Sequence, residues 1–467
     1  MSSLEQTVST TKLKLKEKIA YGLGDVGNNF LFDLGQIYLL KFYTDILGLP
    51  AIWAGSIFLV SKIFDAFADM SVGTVVDSGK FSSKKLGKFR PFMIYGLIPF
   101  MIIPLGLMTV VCFTNPDFSI TGKLIFAYAS YMLFGLTYSI VNIPFGSIAS
   151  VMTQDPLERS QLAAFRQAGS NTGLLITTVA FMPIVLLFDS EETGYFVAAC
   201  VFAVMGVLVT LYCALNIKEH VKVDRKVHER VHLGTAFKSI LKNSPLLILC
   251  LVNLFTFSAF NVKLAVQVYY CQYILNDMTI IPYMGFFSIG CVFIGVALVT
   301  HMVKWLGGRK QTYMFGCAVW AVGDIINYLF VTDPTMFIVF SCVAFFGSSF
   351  VNSLNWALVA DAVEYGEYKT GVRAEGIVYS FFTFFRKCSQ AVAGFVPGLV
   401  LTMVGYVPNA VQSLEALEGI RGLMFIYPGV LAIATIIVMG FFYKLSDQRF
   451  RELLFELQKR KNQQANQ

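Results

Sequence analysis

The chain has 467 residues, of which 56% are hydrophobic, 15% aromatic and only 14% charged, a balance too apolar for a soluble protein of this length. Its formal charge of +7 does not point to nucleic acid, because the basic residues fall between apolar segments, as membrane topology requires. No nucleophile and base pair, metal-ligand cluster or phosphate loop is recognisable, so no cofactor is expected and an enzyme is disfavoured.

Hydropathy and punctuation predict twelve membrane spans, at roughly 19–46, 51–77, 92–113, 122–151, 163–188, 194–217, 245–275, 281–301, 311–331, 335–360, 377–404 and 420–443. Alternate connections are rich in lysine and arginine: the N-terminal tail, the loop with Lys80, Lys84, Lys85, Lys88 and Arg90, the central loop and the C-terminal tail. The intervening loops are nearly bare of them, so both termini are expected on the cytoplasmic side. The polar stretch 218–244 divides the chain into a six-helix bundle over 1–217 and a second over 245–443, followed by a cytoplasmic tail, 444–467. In the central loop Leu233, Phe237, Ile240 and Leu241 share one helical face. The tail repeats that design with Phe450, Leu453, Leu454 and Leu457 behind a candidate N-cap, Ser446.

Ionisable and amide side chains inside the spans are the candidate functional residues, since each is costly at membrane depth. The first span carries Asp25, Asn28, Asn29 and Asp33 among closely spaced glycines. The second carries Lys62, Asp65 and Asp69, which project from one face of a helix. That constellation reads either as a structural salt bridge or as a cation site. The fourth span contains Asn142 two residues before Pro144, whose ring frees a backbone carbonyl. Arg166 opens the fifth span, Lys263 and Gln267 share a face of the seventh, and Arg386 with Lys387 lie well inside the eleventh. Asp324 in the ninth reads as a packing partner rather than a ligand. The entries to the fifth and eleventh spans are weakly alike, LERSQLAAFRQAG against VRAEGIVYSFFTFFRKCSQAVAG, the mark of a carrier built from two related halves.

The motifs EKIAYGLGDVGNN, YTDILG, KIFDAFADMSVG, GKFRPF, YSIVNIPFGS, ERSQLAAFRQ and ADAVEYGEYKTGVRAEG occur in this order along nearly the whole chain. Together they resemble the glycoside-pentoside-hexuronide:cation symporters, a branch of the major facilitator superfamily that includes the melibiose and glucuronide carriers. The resemblance implies an all-α membrane protein of the major facilitator fold, moving a small substrate by alternating access. It implies cation-binding roles for Asp65, Asp69 and Ser139, with sodium or a proton as the coupling ion. It implies that Arg166 lies near the sugar, that Lys387 lies beside the cation site, and that Asn29 and Asn142 stand at the family's sugar-binding positions. With Lys263, a lone cation deep in its span, and Trp356, these are the candidate substrate-binding residues.

Melibiose-type carriers place aspartates where this chain has Asn29 and Asn142, and an asparagine where it has Ala68. Neutral amides beside Arg166, Lys263, Arg386 and Lys387 lead to an anionic sugar or sugar-derived acid as substrate. Within the family the sequence looks most like carriers associated with sulfoquinovose breakdown, which implies import of sulfoquinovose or export of 2,3-dihydroxypropane-1-sulfonate. Another glycoside or hexuronide, such as a glucuronide, is the alternative, and a lipid-handling carrier or a non-translocating sensor are the readings of another class. The expected setting is the inner membrane of a bacterium, with the chain working as a monomer.

Overall fold

The computed structural model describes residues 13–77, 89–94, 102–153, 155–220, 240, 242–330, 333–371 and 375–465. They form α1 (Leu15–Ile37), α2 (Ala51–Asp77), α3 (Ile102–Cys112), α4 (Ile120–Ser147), α5 (Pro156–Val185), α6 (Glu191–Asn216) and α7 (Ser244–Tyr273). They continue as α8 (Ile280–Trp305), α9 (Arg309–Phe330), α10 (Pro334–Thr370), α11 (Glu375–Met403), α12 (Leu414–Phe441) and α13 (Asp447–Ala465). No strand occurs among the described residues. Nine of the described helices are long and apolar enough to cross a membrane; α1 and α11, which carry several polar side chains, fall outside that set. The chain is a multi-pass membrane protein.

Helix starts follow local side-chain chemistry. Ser119 and Asn243 cap α4 and α7 by accepting backbone N–H bonds at 3.3 and 3.2 Å. Asp333 accepts two such bonds, from Thr335 and Met336, ahead of a proline at the first position of α10. Two expected boundaries need correction. α5 begins at Pro156 rather than near 163, and α10 runs to Thr370 rather than ending near 360. Hydropathy marks where a helix leaves the apolar layer, whereas the polar residues of LERSQLAAFR and DAVEYGEYKT still form good helix. ADAVEYGEYKT is therefore the end of α10, not a loop, and Gly371 closes it with φ 72°.

The chain divides into two compact units, 1–228 and 229–467. In the first, α1 packs against α5 and α6, and α2 against α4. Glycines permit the closest of these approaches: a Cβ on Gly22 would lie 2.7 Å from the Phe165 carbonyl oxygen, and one on Gly169 would collide with the Gly22 carbonyl. Past Ile37, α1 is interrupted at Tyr38 and resumes through a π-helical turn, Phe42–Ile46. There Lys41 and Asp45 form a buried ion pair at 2.5 Å, and the Thr44 hydroxyl donates to Asp45 at 2.7 Å. A sheath of aromatic rings surrounds this end, including Tyr38 stacked on Phe181 at 4.2 Å.

The second unit packs α7 against α11 and α12, and α10 against α8 and α9. Its apolar core, which includes Tyr313, Val351, Leu354, Phe382 and Met439, extends to Leu453 of α13. Ser446 accepts from the Arg449 backbone N–H at 3.2 Å, as an N-cap should, and Leu453 and Leu457 are buried while Leu454 is not. Arg309 bonds Asp447 and Asp361 at 3.0 and 2.8 Å, fastening the tail helix to α9 and α10. Of the central-loop face, Leu233, Phe237 and Leu241 lie outside the described residues, and Ile240 is buried.

Candidate functional site

The first cluster sits where α2 meets α4. Lys62 Nζ is 3.1 Å from Asp65 Oδ2, and the ammonium faces the Phe32 and Tyr131 rings at 5.3 and 5.6 Å. One turn on, the Ser139 hydroxyl donates to Asp69 Oδ1 at 2.5 Å. A turn earlier on α4 is Gly135, where any Cβ would strike the Asp65 carboxylate. The residues pair in steps of four, Asp65 with Gly135 and Asp69 with Ser139, because i and i+4 share a face on each helix. Asp65 is 5% exposed, and its Oδ1 is buried without a hydrogen-bond partner among the described residues. A half-satisfied buried carboxylate is expensive. Asp65 Oδ1, Asp69 and Ser139 offer oxygen donors suited to a small hard cation or to a proton.

The second cluster joins α1, α4 and α5. Arg166 donates twice to Asp25, Nε to Oδ2 at 2.7 Å and Nη2 to Oδ1 at 3.0 Å. Its guanidinium also lies 5.0 Å from the Phe145 ring and 5.6 Å from Tyr21. The arginine side chain is 34% exposed and the aspartate 11%, so the outer edge of the guanidinium faces open space. Asn29, one turn beyond Asp25, donates to the Ser170 carbonyl and hydroxyl at 2.8 and 2.9 Å. This leaves its amide oxygen for another group. Asn142 lies three residues after Ser139 on the same helix, and its side chain makes no hydrogen bond to a described residue. The structure thus sets Asn29 and Arg166 on facing helices, with Asn142 on the helix that also carries Ser139.

In the second unit Lys263 is 1% exposed and forms a salt bridge with Asp324, which is fully buried; Phe345 and Phe425 flank the ammonium. Lys263 is thereby neutralised within its own bundle, which removes it from the count of cations available to a substrate. The same holds in part for Arg166, whose charge Asp25 balances. The surplus of positive charge expected from the sequence is smaller than the residue types suggested. Trp356 is 38% exposed and packs on Tyr379 and Phe382. Arg386 lies 3.9 Å from the Phe257 ring centroid and 5.7 Å from Trp356, and Lys387 is half-buried one residue on. Sequence reasoning missed the Arg166–Asp25 pairing and the role of Gly135. A carboxylate one turn before Asn29 was the visible hint of the first; nothing in the residue pattern signalled the second.

A family model described as MFS/sugar transport protein matches residues 20–447. The chain belongs to the MFS sugar-transport family. The relatives place this carrier among the glycoside-pentoside-hexuronide:cation symporters. It is 50% identical over 455 residues to an Escherichia coli protein named for sulfoquinovose import, covering 97% of this chain and 96% of the relative. It is 48% identical over 465 residues to a Salmonella typhimurium protein named for 2,3-dihydroxypropane-1-sulfonate export, covering 99% of this carrier and 100% of that one. A solved nucleoside transporter matches its fold at a TM-score of 0.64 with 12% identity, covering 90% of this carrier and 99% of the other chain. The carrier is a transporter and not an enzyme.

Proposed function

We propose that this carrier moves a small sugar-derived sulfonate, sulfoquinovose or 2,3-dihydroxypropane-1-sulfonate, together with a cation across a bacterial inner membrane. The twelve-span topology with cytoplasmic termini, working as a monomer by alternating access of two six-helix bundles, belongs to this proposal. The observation that carries it is the second cluster, in which a partly exposed arginine edge is presented by the helix whose Ser170 also holds the uncharged amide Asn29. Asn142 stands one turn before Gly146, whose Cβ would lie 4.0 Å from that guanidinium. A sulfonate is an anion at all physiological pH values and takes charge-assisted bonds from a guanidinium. Hydroxyls of the same molecule find donors and acceptors in Asn29 and Asn142 without the repulsion that carboxylates would impose. The names of the relatives point to the same substrate class.

In this reading Asp65, Asp69 and Ser139 hold the coupling ion, and Arg166, Asn29, Asn142, Trp356 and Lys387 meet the substrate. Lys263 supports the site through α7, as the partner of Asp324. Residue identities do not set direction, and relatives named for import and for export stand at 50% and 48% identity. Direction then follows the gradients. The test is binding of sulfoquinovose, dihydroxypropane sulfonate, glucuronate and a neutral methyl glycoside to purified protein, followed by thermal shift. The two sulfonates should bind in preference to the neutral glycoside, and Arg166→Gln should erase that preference. Tighter binding of the neutral glycoside overturns the reading, and tighter binding of glucuronate moves it to hexuronides.

A further inference from the structure

We propose that Asp33 is a proton-binding site of this carrier, separate from the Asp65 and Asp69 cluster. The proposal rests on the carrier reading and not on the identity of the substrate. Asp33 is 9% exposed inside the first unit, and its Oδ2 is sealed from solvent without a hydrogen-bond partner among the described residues. The other buried carboxylates of this unit each have a partner on at least one oxygen, Arg166 for Asp25, Lys41 for Asp45, Lys62 for Asp65, His220 for Glu17 and Lys18 for Glu158, and the half-buried Asp69 accepts from Ser139.

The surroundings offer no replacement. Asp25, Asn29 and Asp33 are spaced by four, so they form one stripe along α1. Asp25 meets Arg166 and Asn29 meets Ser170 on α5. One further turn brings Asp33 level with Leu174–Thr178, where Thr178 already donates to the Leu174 carbonyl and the buried Thr177 hydroxyl has no partner. The titratable and charged groups recorded against this stretch of α1 are Tyr131 of α4, 3.5 Å from a Cβ placed on Gly35, Tyr138 of α4, whose ring lies 5.1 Å from Phe32, and Lys62 of α2, whose ammonium lies 5.3 Å from the Phe32 ring. Tyr131 takes a hydrogen bond from Gln36, and Lys62 is held by Asp65. On α1 itself, Lys41 is held by Asp45 and Asp25 by Arg166. A carboxylate anion left without a counter-ion in such a place is costly, and a bound proton removes that cost.

The stripe also supplies a reason for the proton to matter to transport. A sulfonate that engages the guanidinium brings negative charge to the Arg166–Asp25 pair, about 12 Å along the helix from Asp33. At that separation in a partly buried setting, a unit charge shifts a proton equilibrium by about tenfold. Substrate binding and protonation of Asp33 then favour each other, so affinity falls as the proton is lost.

The test needs no substrate in its first arm. Infrared spectra of the wild-type protein in lipid nanodiscs at neutral pH should contain the carbonyl stretch of a protonated carboxylic acid. Asp33→Asn should lose it, while Asp65→Asn and Asp69→Asn keep theirs. A band that is absent from wild type, or unchanged in Asp33→Asn, overturns the proposal. If Asp33→Asn does not fold, Asp33→Glu must displace the band, and an undisplaced band overturns it equally. In the second arm, sulfoquinovose binding to wild type should weaken about tenfold from acid to alkaline pH, and in Asp33→Asn it should be flat. A wild-type slope retained in Asp33→Asn counts against Asp33. Failure of sulfoquinovose to bind wild type counts against the substrate reading alone.

Discussion

A lysine deep in a membrane helix needs an anion, and in α7 that anion is Asp324 of α9, not a passing substrate. The residue types were legible in the sequence; which of them would meet was not. Lys263 and Asp324 are 61 positions apart, and no spacing rule links them. If the pair is structural, removing one member strands a buried charge, which costs about 3–5 kcal/mol, whereas replacing both with apolar residues of similar size is near neutral. Lys263→Met should therefore lower the unfolding temperature strongly, and Lys263→Met combined with Asp324→Leu should restore it. A single variant that unfolds like wild type but no longer binds substrate would return Lys263 to the substrate site. The same distinction applies at Arg166, where 34% exposure of the side chain leaves room for a ligand that Lys263 lacks.

At the scale of elements, α1 and α5 touch backbone to backbone because Gly22 and Gly169 present no Cβ. This contact is what brings Asn29 within hydrogen-bond range of Ser170, and Arg166 within range of Asp25. Overpacking such a seam costs about 1–3 kcal/mol. Gly169→Ala should lower thermal stability in detergent and weaken substrate binding together, since the same contact sets both. Gly290→Ala on α8, where a Cβ meets nothing within 4 Å, is the control and should behave as wild type. The glycines were visible in GLGDVGNN as a sign of close packing, but their partners were not. Apolar spans were likewise legible, while helix ends were displaced wherever polar residues carried a helix past its apolar part, as at Pro156 and Thr370.

Across the whole molecule the two units repeat a plan that the sequence already hinted at. Arg166 lies ten residues after Pro156 at the start of α5, and Arg386 eleven after Glu375 at the start of α11. The faint likeness of those two segments survives because an arginine at that depth needs the same approach of helix and ring, Phe145 in one unit and Phe257 in the other. Coupling is the property that only the intact carrier has. If a cation at Asp65, Asp69 and Ser139 strengthens substrate binding by some factor, substrate must strengthen cation binding by the same factor, typically about 5- to 150-fold. Titration calorimetry of sulfoquinovose with and without sodium at fixed pH, and of sodium with and without sulfoquinovose, should return one number from both directions. If instead sodium has no effect and affinity falls as pH rises, the coupled ion is a proton. Asp69→Asn should leave any pH dependence that belongs to Asp33 and abolish the sodium dependence. Full retention of the sodium dependence in that variant would remove the α2 and α4 cluster from the coupling mechanism.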